Sequence, residues 1–307
     1  MNNREIDRQK ELIKRIKLGY SSEALCYEFG VNLRGLQKLL LELKNSGIPW
    51  QKIYNANGEF NVELDSQHFF DGTRINLTPD ASFKTLVVSD LHLATEKEGL
   101  GILNMFYDYC AKQGIKFIVN CGDLINGSSI RRVSTISNSY QQVEYLVEKY
   151  PYDEAITNIV ILGNHDINGF SDNGKYYLQR LAKRRPDFSV SGIGTGNILL
   201  LQDNILLYHP LTNKDRTIPE ASLVLLGHSH NYKVDLRKKN CARVYVPALC
   251  KSIPSRVGTL PSGLLMECFF NSKGKIEVVN LEQLTFLNDK LYSLSKQELA
   301  LKRRLTI

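Results

Sequence analysis

The chain lacks any run of about 18 uninterrupted apolar residues, so no segment reads as a membrane-spanning helix. Its charged opening, MNNREIDRQKELIKR, has no apolar stretch behind it of the kind a secretory leader needs. The six cysteines, Cys26, Cys110, Cys121, Cys241, Cys250 and Cys268, never form a C-x-x-C pair, which argues against a zinc ribbon and against a disulfide scaffold. Internal repeats and low-complexity tracts are missing too. Charge of one sign is in only small excess: 39 Lys and Arg stand against 32 Asp and Glu, a net +7. That balance is compatible with a polyanionic partner without demanding one. These absences leave the expectation of a soluble, cytoplasmic protein with reduced, mostly buried thiols and no membrane partner. At 307 residues and 43% hydrophobic content, the chain suffices for one large domain and a small one.

Residues from about 4 to 48 are helical in pattern. In SSEALCYEFGVNLRGLQKLLLELKNSG a short helix opens at Ser21 or Ser22, turns at Gly30, and yields to a second helix capped by Asn32. Leu36, Leu39, Leu40 and Leu43 share one face of that second helix. Gly47 and Pro49 would close it. The segment resembles a helix-turn-helix, with Cys26 where alanine is more usual and with Gly35 weakening the second helix. Asn57-Gly58 between two alternating runs predicts a hairpin in the position of a wing. Arg34, Gln37 and Lys38 face away from the leucines and are types that reach phosphates and base edges in a major groove. Packing against protein, or dimerisation, is the alternative use of the same fold.

From about Lys84 the pattern changes to short apolar runs alternating with helical stretches, an α/β arrangement. Asp71-Gly72 and Thr78-Pro79-Asp80 mark turns before it, and RINL there reads as an edge strand. Five runs then end in metal-binding types: KTLVVSDLH in Asp90 and His92, KFIVNCGD in Asp123, NIVILGNHD in Asn164, His165 and Asp166, NILLYHP in His209, and LVLLGHSH in His228 and His230. Strand ends build the ligand crevice of α/β sheets, so these segments can converge. His228 and His230, two residues apart in extended chain, project to one face. A lone His209 or His68 would be an ordinary packed or surface histidine; five histidines each following an apolar run are poorly explained that way, and only His68 keeps that reading.

The order D-x-H, G-D, G-N-H-D, H, G-H-x-H resembles the calcineurin-like metallophosphoesterase superfamily over Leu86 to His230. The resemblance implies a four-layer αββα sandwich of two mixed sheets, here preceded by a small winged helix-turn-helix domain. ARVYVPAL, GLLMECFF and KIEVVNL would complete the second sheet. It also implies two divalent metals, one on Asp90, His92 and His230, the other on Asn164, His209 and His228, with Asp123 bridging. Such ions bridge a water whose lowered pKa supplies hydroxide for in-line attack on phosphorus. The N and O donor set, without thiolate, points to Mn2+ first, with Fe, Zn, Co or Ni as alternatives. His165 would protonate the leaving oxygen.

Where one branch of the superfamily has an aspartate orienting that histidine and an arginine on the phosphate, GDLINGSS has Asn126 and Gly127. Asp166 is the substitute partner to consider for His165, and Arg131 and Arg132 for phosphate. GFSDNG and SGIGTGN read as turns. The expected division is residues 1–64 winged helix-turn-helix, 65–83 junction, 84–284 phosphoesterase and 285–307 a tail with helical potential. Three functions fit: a nuclease or other nucleic-acid phosphodiesterase, DNA favoured; a phosphodiesterase or phosphatase for a small molecule such as a cyclic nucleotide, with a regulatory or oligomerising N-terminal unit; or a DNA-binding regulator with a sensory or inactive site. A duplex substrate calls for an open basic channel from the wing to the metals.

Overall fold

The computed structural model describes residues 3–45, 48, 50–64, 72–78, 80–128, 133–172, 174–212, 217–219, 221–238, 241–251 and 260–301. Gly47, Pro49, His68, Asp71, Pro79, Arg131 and Arg132 lie outside them. In chain order the elements are α1 (Asn3–Lys17), α2 (Ser22–Glu28), α3 (Leu33–Asn45), β1 (Trp50–Asn55), β2 (Phe60–Leu64), β3 (Thr73–Asn76), β4 (Phe83–Val88) and α4 (Leu100–Lys112). There follow β5 (Phe117–Asn120), α5 (Ser139–Lys149), β6 (Thr157–Leu162), α6 (Asn164–Ile167), α7 (Lys175–Arg184), β7 (Phe188–Ile193), β8 (Thr195–Leu200) and β9 (Asp203–Tyr208). The chain ends through β10 (Leu223–Leu226), β11 (Lys233–Asp235), β12 (Ala242–Tyr245), β13 (Gly263–Phe270), β14 (Ile276–Leu287) and β15 (Lys290–Ala300).

Two mixed sheets result. One is eight-stranded, in the order β11-β12-β10-β9-β8-β3-β1-β2; the other is seven-stranded, β15-β14-β13-β4-β5-β6-β7. In the second, β4 to β7 run parallel, and β13 to β15 extend the far side of β4 antiparallel. The runs TLVV and IVIL are buried throughout, as strands covered on both faces must be. One core, with Val87, Val119, Ile161, Leu207, Leu225 and Met266, fills the space between the sheets. A second, with Leu86, Phe106, Leu146, Leu162 and Tyr177, seals the seven-stranded sheet beneath α4, α5 and α7.

The N-terminal helices form where the pattern places them. Ser21 caps α2, its Oγ accepting the Ala24 N–H at 3.2 Å, and Asn32 caps α3 by accepting the Gly35 N–H at 3.0 Å. The leucine stripe is buried with Leu12, Ile16 and Leu25, each side chain contributing about 1.5–3 kcal/mol. Gly35 is explained by proximity: a Cβ there would stand 2.7 Å from the Val31 Cβ, so the turn packs onto α3 only because that side chain is missing.

Four expectations need correcting. The β1–β2 hairpin is no free wing: β1 also pairs parallel with β3, Ile53 opposite Arg74, so the hairpin finishes the eight-stranded sheet. The cause is its apolar face, since the Tyr54 ring meets Phe60 at 5.7 Å and Phe117 at 6.2 Å inside the shared core. RINL accordingly sits between β1 and β8, within the sheet and not at its edge. The late strands divide between the sheets, β12 joining β10 while β13 and β14 join β4. The tail around Ser293 is a strand, because the open edge of β14 satisfies the backbone of β15 from Lys290 to Ala300.

These packings fix where the helical unit sits. Phe117 opens β5, Lys52 Nζ donates to the Pro186 carbonyl at 3.1 Å just before β7, and the Arg34 guanidinium lies 5.2 Å over the Tyr152 ring ahead of β6. All three contacts are at the N-terminal ends of the parallel strands. The ligand-bearing ends lie about 20 Å away, the length of a six-residue strand.

Candidate metal centre

At the C-terminal ends of β4, β5, β6, β9 and β10 the structure brings together all seven predicted ligands. His230 Nε2 stands 3.1 Å from Asp90 Oδ1, and His92 Nε2 lies between Asp90 Oδ1 at 3.7 Å and Asp123 Oδ2 at 3.8 Å. His209 Nε2 is 3.3 Å from Asp123 Oδ2, while Asn164 Oδ1 is 3.1 Å from both His209 Nε2 and His228 Nδ1. The separations of 3.1 to 3.3 Å are those of donor atoms around one ion, since bonds of about 2.1 Å give coordination edges of about 3.0 to 3.4 Å, and the two His92 distances are a few tenths of an ångström wider. The set falls into Asp90, His92 and His230 on one side and Asp123, His209 and His228 on the other. His92 stands between them, its ring 4.7 Å from that of His165.

Holding so many polar groups together costs backbone and solvation energy. Asp90, His92, Asp123, His228 and His230 all take positive φ, between 46° and 72°, a region that residues with a Cβ adopt at a penalty. Gly122 (φ 98°) permits a close approach, since a Cβ on it would be 2.6 Å from His209 Nδ1. Asp90, His92, Asp123 and His209 are buried, whereas Asn164, His165 and His230 are half-buried and His228 is exposed.

Electrostatics compensate for the burial. Burial pushes the Asp123 carboxyl up, but His209 and His92 hold it down at about 2; in the same way His230 and His92 hold Asp90 well below the usual carboxylate range. Burial pushes His209 down, and Asp123 carries it up to about 10; Asp90 carries His230 to about 9 against the same penalty. His228 is lowered by burial and by the neighbouring His209.

Supporting groups orient the ligands. Ser89 Oγ donates to Asp90 Oδ2 at 2.7 Å and the His228 N–H to the same oxygen at 3.0 Å, turning Oδ1 toward the histidines. His209 Nδ1 donates to the Cys121 carbonyl at 2.7 Å, which leaves Nε2 for the centre. Glu98, which no spacing in the sequence marks, accepts from the Ala94 N–H and the Tyr145 hydroxyl, both at 2.8 Å, and pins the loop after His92.

This combination of strand ends and donors is that of the family whose sequence model, calcineurin-like phosphoesterase, matches residues 83–244. The chain belongs to the calcineurin-like phosphoesterase family. It is accordingly a metal-dependent phosphoester hydrolase of a dinuclear family. No curated protein matches the sequence. Among solved structures, vacuolar protein sorting 29 of Cryptosporidium parvum is similar at 15% identity and TM-score 0.43, over 72% of this chain and 100% of that one. Vps29 of Chaetomium thermophilum shares 13% identity at TM-score 0.42, over 73% and 98%. The nuclease MPE of Pseudomonas putida shares 13% at TM-score 0.32, over 80% and 100%. Likenesses at these levels say nothing of the substrate of this calcineurin-like phosphoesterase.

Other predicted site residues are placed differently. Asp166 does not reach His165: its buried carboxylate accepts from the Ile125 and Gly163 N–H groups at 3.0 and 2.8 Å and from the Tyr177 hydroxyl at 3.4 Å. Burial and Asp123 push it up to about 7. It braces the loop, since backbone donors claim both its oxygens. His165 instead has Nδ1 against the Asn126 carbonyl at 2.8 Å, while the Asn126 side chain turns away to donate to Ser134 Oγ at 2.6 Å. Gln37 is buried, so it reads no groove; the sequence stripe could not show that a second face of α3 is covered. Arg34 lies over the Tyr152 ring and, like Lys38, is exposed.

Proposed function

We propose that this phosphoesterase hydrolyses phosphodiester bonds in nucleic acid, DNA in the first instance. The observation that supports the reading best is the shape of the ligand set, buried carboxylates below and His165, Asn164, His228 and His230 along an open rim, where a phosphate within a long chain can reach. The basic balance of the chain favours the same polyanionic class. Asp90, His92 and His230 would hold one divalent ion and Asn164, His209 and His228 the other, with Asp123 between them; manganese suits the donors, and iron, zinc, cobalt and nickel remain compatible. When bound, such a pair supplies Lewis acidity toward phosphate oxygens and an acidified water. The protein's own part is orientation and proton transfer. A carbonyl only accepts, so His165 Nδ1 carries its hydrogen toward Asn126, and Nε2 is the nitrogen left to pass a proton to the leaving oxygen.

A second reading is favoured by one observation: the N-terminal helices pack at the far end of the strands, with Gln37 buried and Arg34 engaged. This placement suits a small phosphodiester, such as a cyclic nucleotide, with the helices serving regulation or assembly. The test is cleavage of end-labelled single-stranded and duplex DNA with Mn2+, alongside bis-p-nitrophenyl phosphate, with His92→Asn as control. Cutting that vanishes in the variant supports the nuclease. Intact DNA, and intact RNA in the same assay, beside brisk hydrolysis of the small diester overturns it in favour of the second reading.

A further inference from the structure

The β14–β15 hairpin outruns its sheet. β13 begins at Gly263, opposite Leu284, so the residues beyond Leu284 on β14 and those before Ser293 on β15 form a two-stranded ribbon turned by Asn288 and Asp289. Leu264 lies opposite Val87, which places the ribbon at the end of β4 that leads into Asp90 and His92.

Its two faces are distinguishable. Phe286 packs on Phe106 of α4 with ring centres 5.1 Å apart, and its ladder partner Leu291 shares that face. Thr285 points the other way, donating to the Pro261 carbonyl at 2.5 Å, and its partner Tyr292 stands on that side with Leu287 and Lys290. From that face a short series of hydrogen bonds leads to the centre. Gln283 Nε2 donates to Ser262 Oγ at 2.8 Å, the Ser262 N–H to the Ala248 carbonyl at 3.2 Å, and the Cys250 N–H to the Asp90 carbonyl at 3.1 Å. Three strand spacings, about 14 Å, separate β15 from β4.

On this flank Leu287 is 40% and Tyr292 45% exposed, with Lys290 beside them in solvent. Exposed rings and aliphatic groups contribute little to folding. An aromatic face next to a cation, level with a phosphodiester-cleaving centre, has the chemistry of a platform for single-stranded nucleic acid. We propose that Tyr292 stacks on a base of the substrate a short distance from the scissile bond while Lys290 meets its phosphate, with Leu287 flanking the base. The inference rests on the nucleic-acid reading of the centre.

Binding of a single-stranded oligonucleotide carrying 2-aminopurine to the metal-free protein tests it. Wild type and Tyr292→Phe quench the base on binding; Tyr292→Ala and Tyr292→Leu weaken Kd by about ten-fold or more, the usual loss of one stacked base. Lys290→Gln lowers the salt slope by about 0.7. With Mn2+, Tyr292→Ala raises KM for the oligonucleotide and leaves bis-p-nitrophenyl phosphate kinetics unchanged. An unchanged oligonucleotide Kd in Tyr292→Ala, with wild type still cutting DNA, overturns the platform alone. The same result with loss of a dimer in light scattering assigns the patch to a second copy instead. A wild type that neither binds nor cuts any nucleic acid overturns the functional reading and the platform together.

Discussion

The same strands end in two opposite ways. At their C-terminal ends Asp90, His92, Asp123, His228 and His230 sit in left-handed backbone conformations, crowded and mutually charged. At their N-terminal ends Phe83 and Phe117 meet, ring centres 5.7 Å apart, and Tyr54 of the hairpin closes over Phe117. The contrast shows how strain is carried: the apolar run between the two ends is fully buried and rigid, so it holds polar groups where they would not settle alone. Chemistry is confined to one end, and stability is gathered along the strand and at the other.

If that division is right, substitutions at the two ends separate into losses of rate and losses of stability. Asp123→Asn is expected to lower kcat on bis-p-nitrophenyl phosphate by at least about a thousand-fold, about 4 kcal/mol in barrier. His165→Ala should cost about a hundred- to ten-thousand-fold while bound metal per chain, by elemental analysis, stays constant. Loss of metal in that variant would make His165 a ligand, since it lies within reach of His92 and Asp123. At the far end, Leu36→Ala should cost about 2–5 kcal/mol in denaturant unfolding and leave kcat of the folded fraction untouched.

Smaller effects sharpen the boundary. Burial pushes Lys52 down to about 8, with Asp187 opposing, against 10.5 for the free side chain. Between those values the unfolded chain binds more protons, so wild-type stability rises with pH through that window and the penalty is complete below it. Lys52→Met should therefore gain about 1–2 kcal/mol at pH 7, an advantage that shrinks toward pH 10 in thermal melts at matched salt. Lys38→Ala is expected to leave oligonucleotide Kd and its salt slope unchanged; a slope reduced by about one would restore α3 as a nucleic-acid surface.

What could be foreseen follows the range of the forces involved. The donor cluster was legible because its residues follow apolar runs, a local pattern that also fixes their position at strand ends. Asn32 was legible as a cap for the same reason, and Ser21 as one of two candidates beside Ser22. Gln37 was not, because its burial depends on what lies against α3 and not on the helix itself. The hairpin's place depended on β3, which takes up the edge of β1, and the tail became a strand because the chain folds back on β14 through the tight turn at Asn288 and Asp289. Asp166 misled because adjacency to His165 in sequence says nothing about which backbone donors claim a carboxylate.

The pairing of β4 with β13, Val87 opposite Leu264, has a consequence for how the enzyme is made. The strand that delivers Asp90 is among the first of its sheet to leave the ribosome, yet the neighbour that closes its second edge is among the last. At about 5–20 residues per second, the nascent chain waits on the order of ten seconds or more between the two. During that interval β4 has one exposed edge, and its first ligands precede the histidines of β10. A ribosome stalled before Gly263 should therefore hold a nascent chain that binds divalent metal poorly.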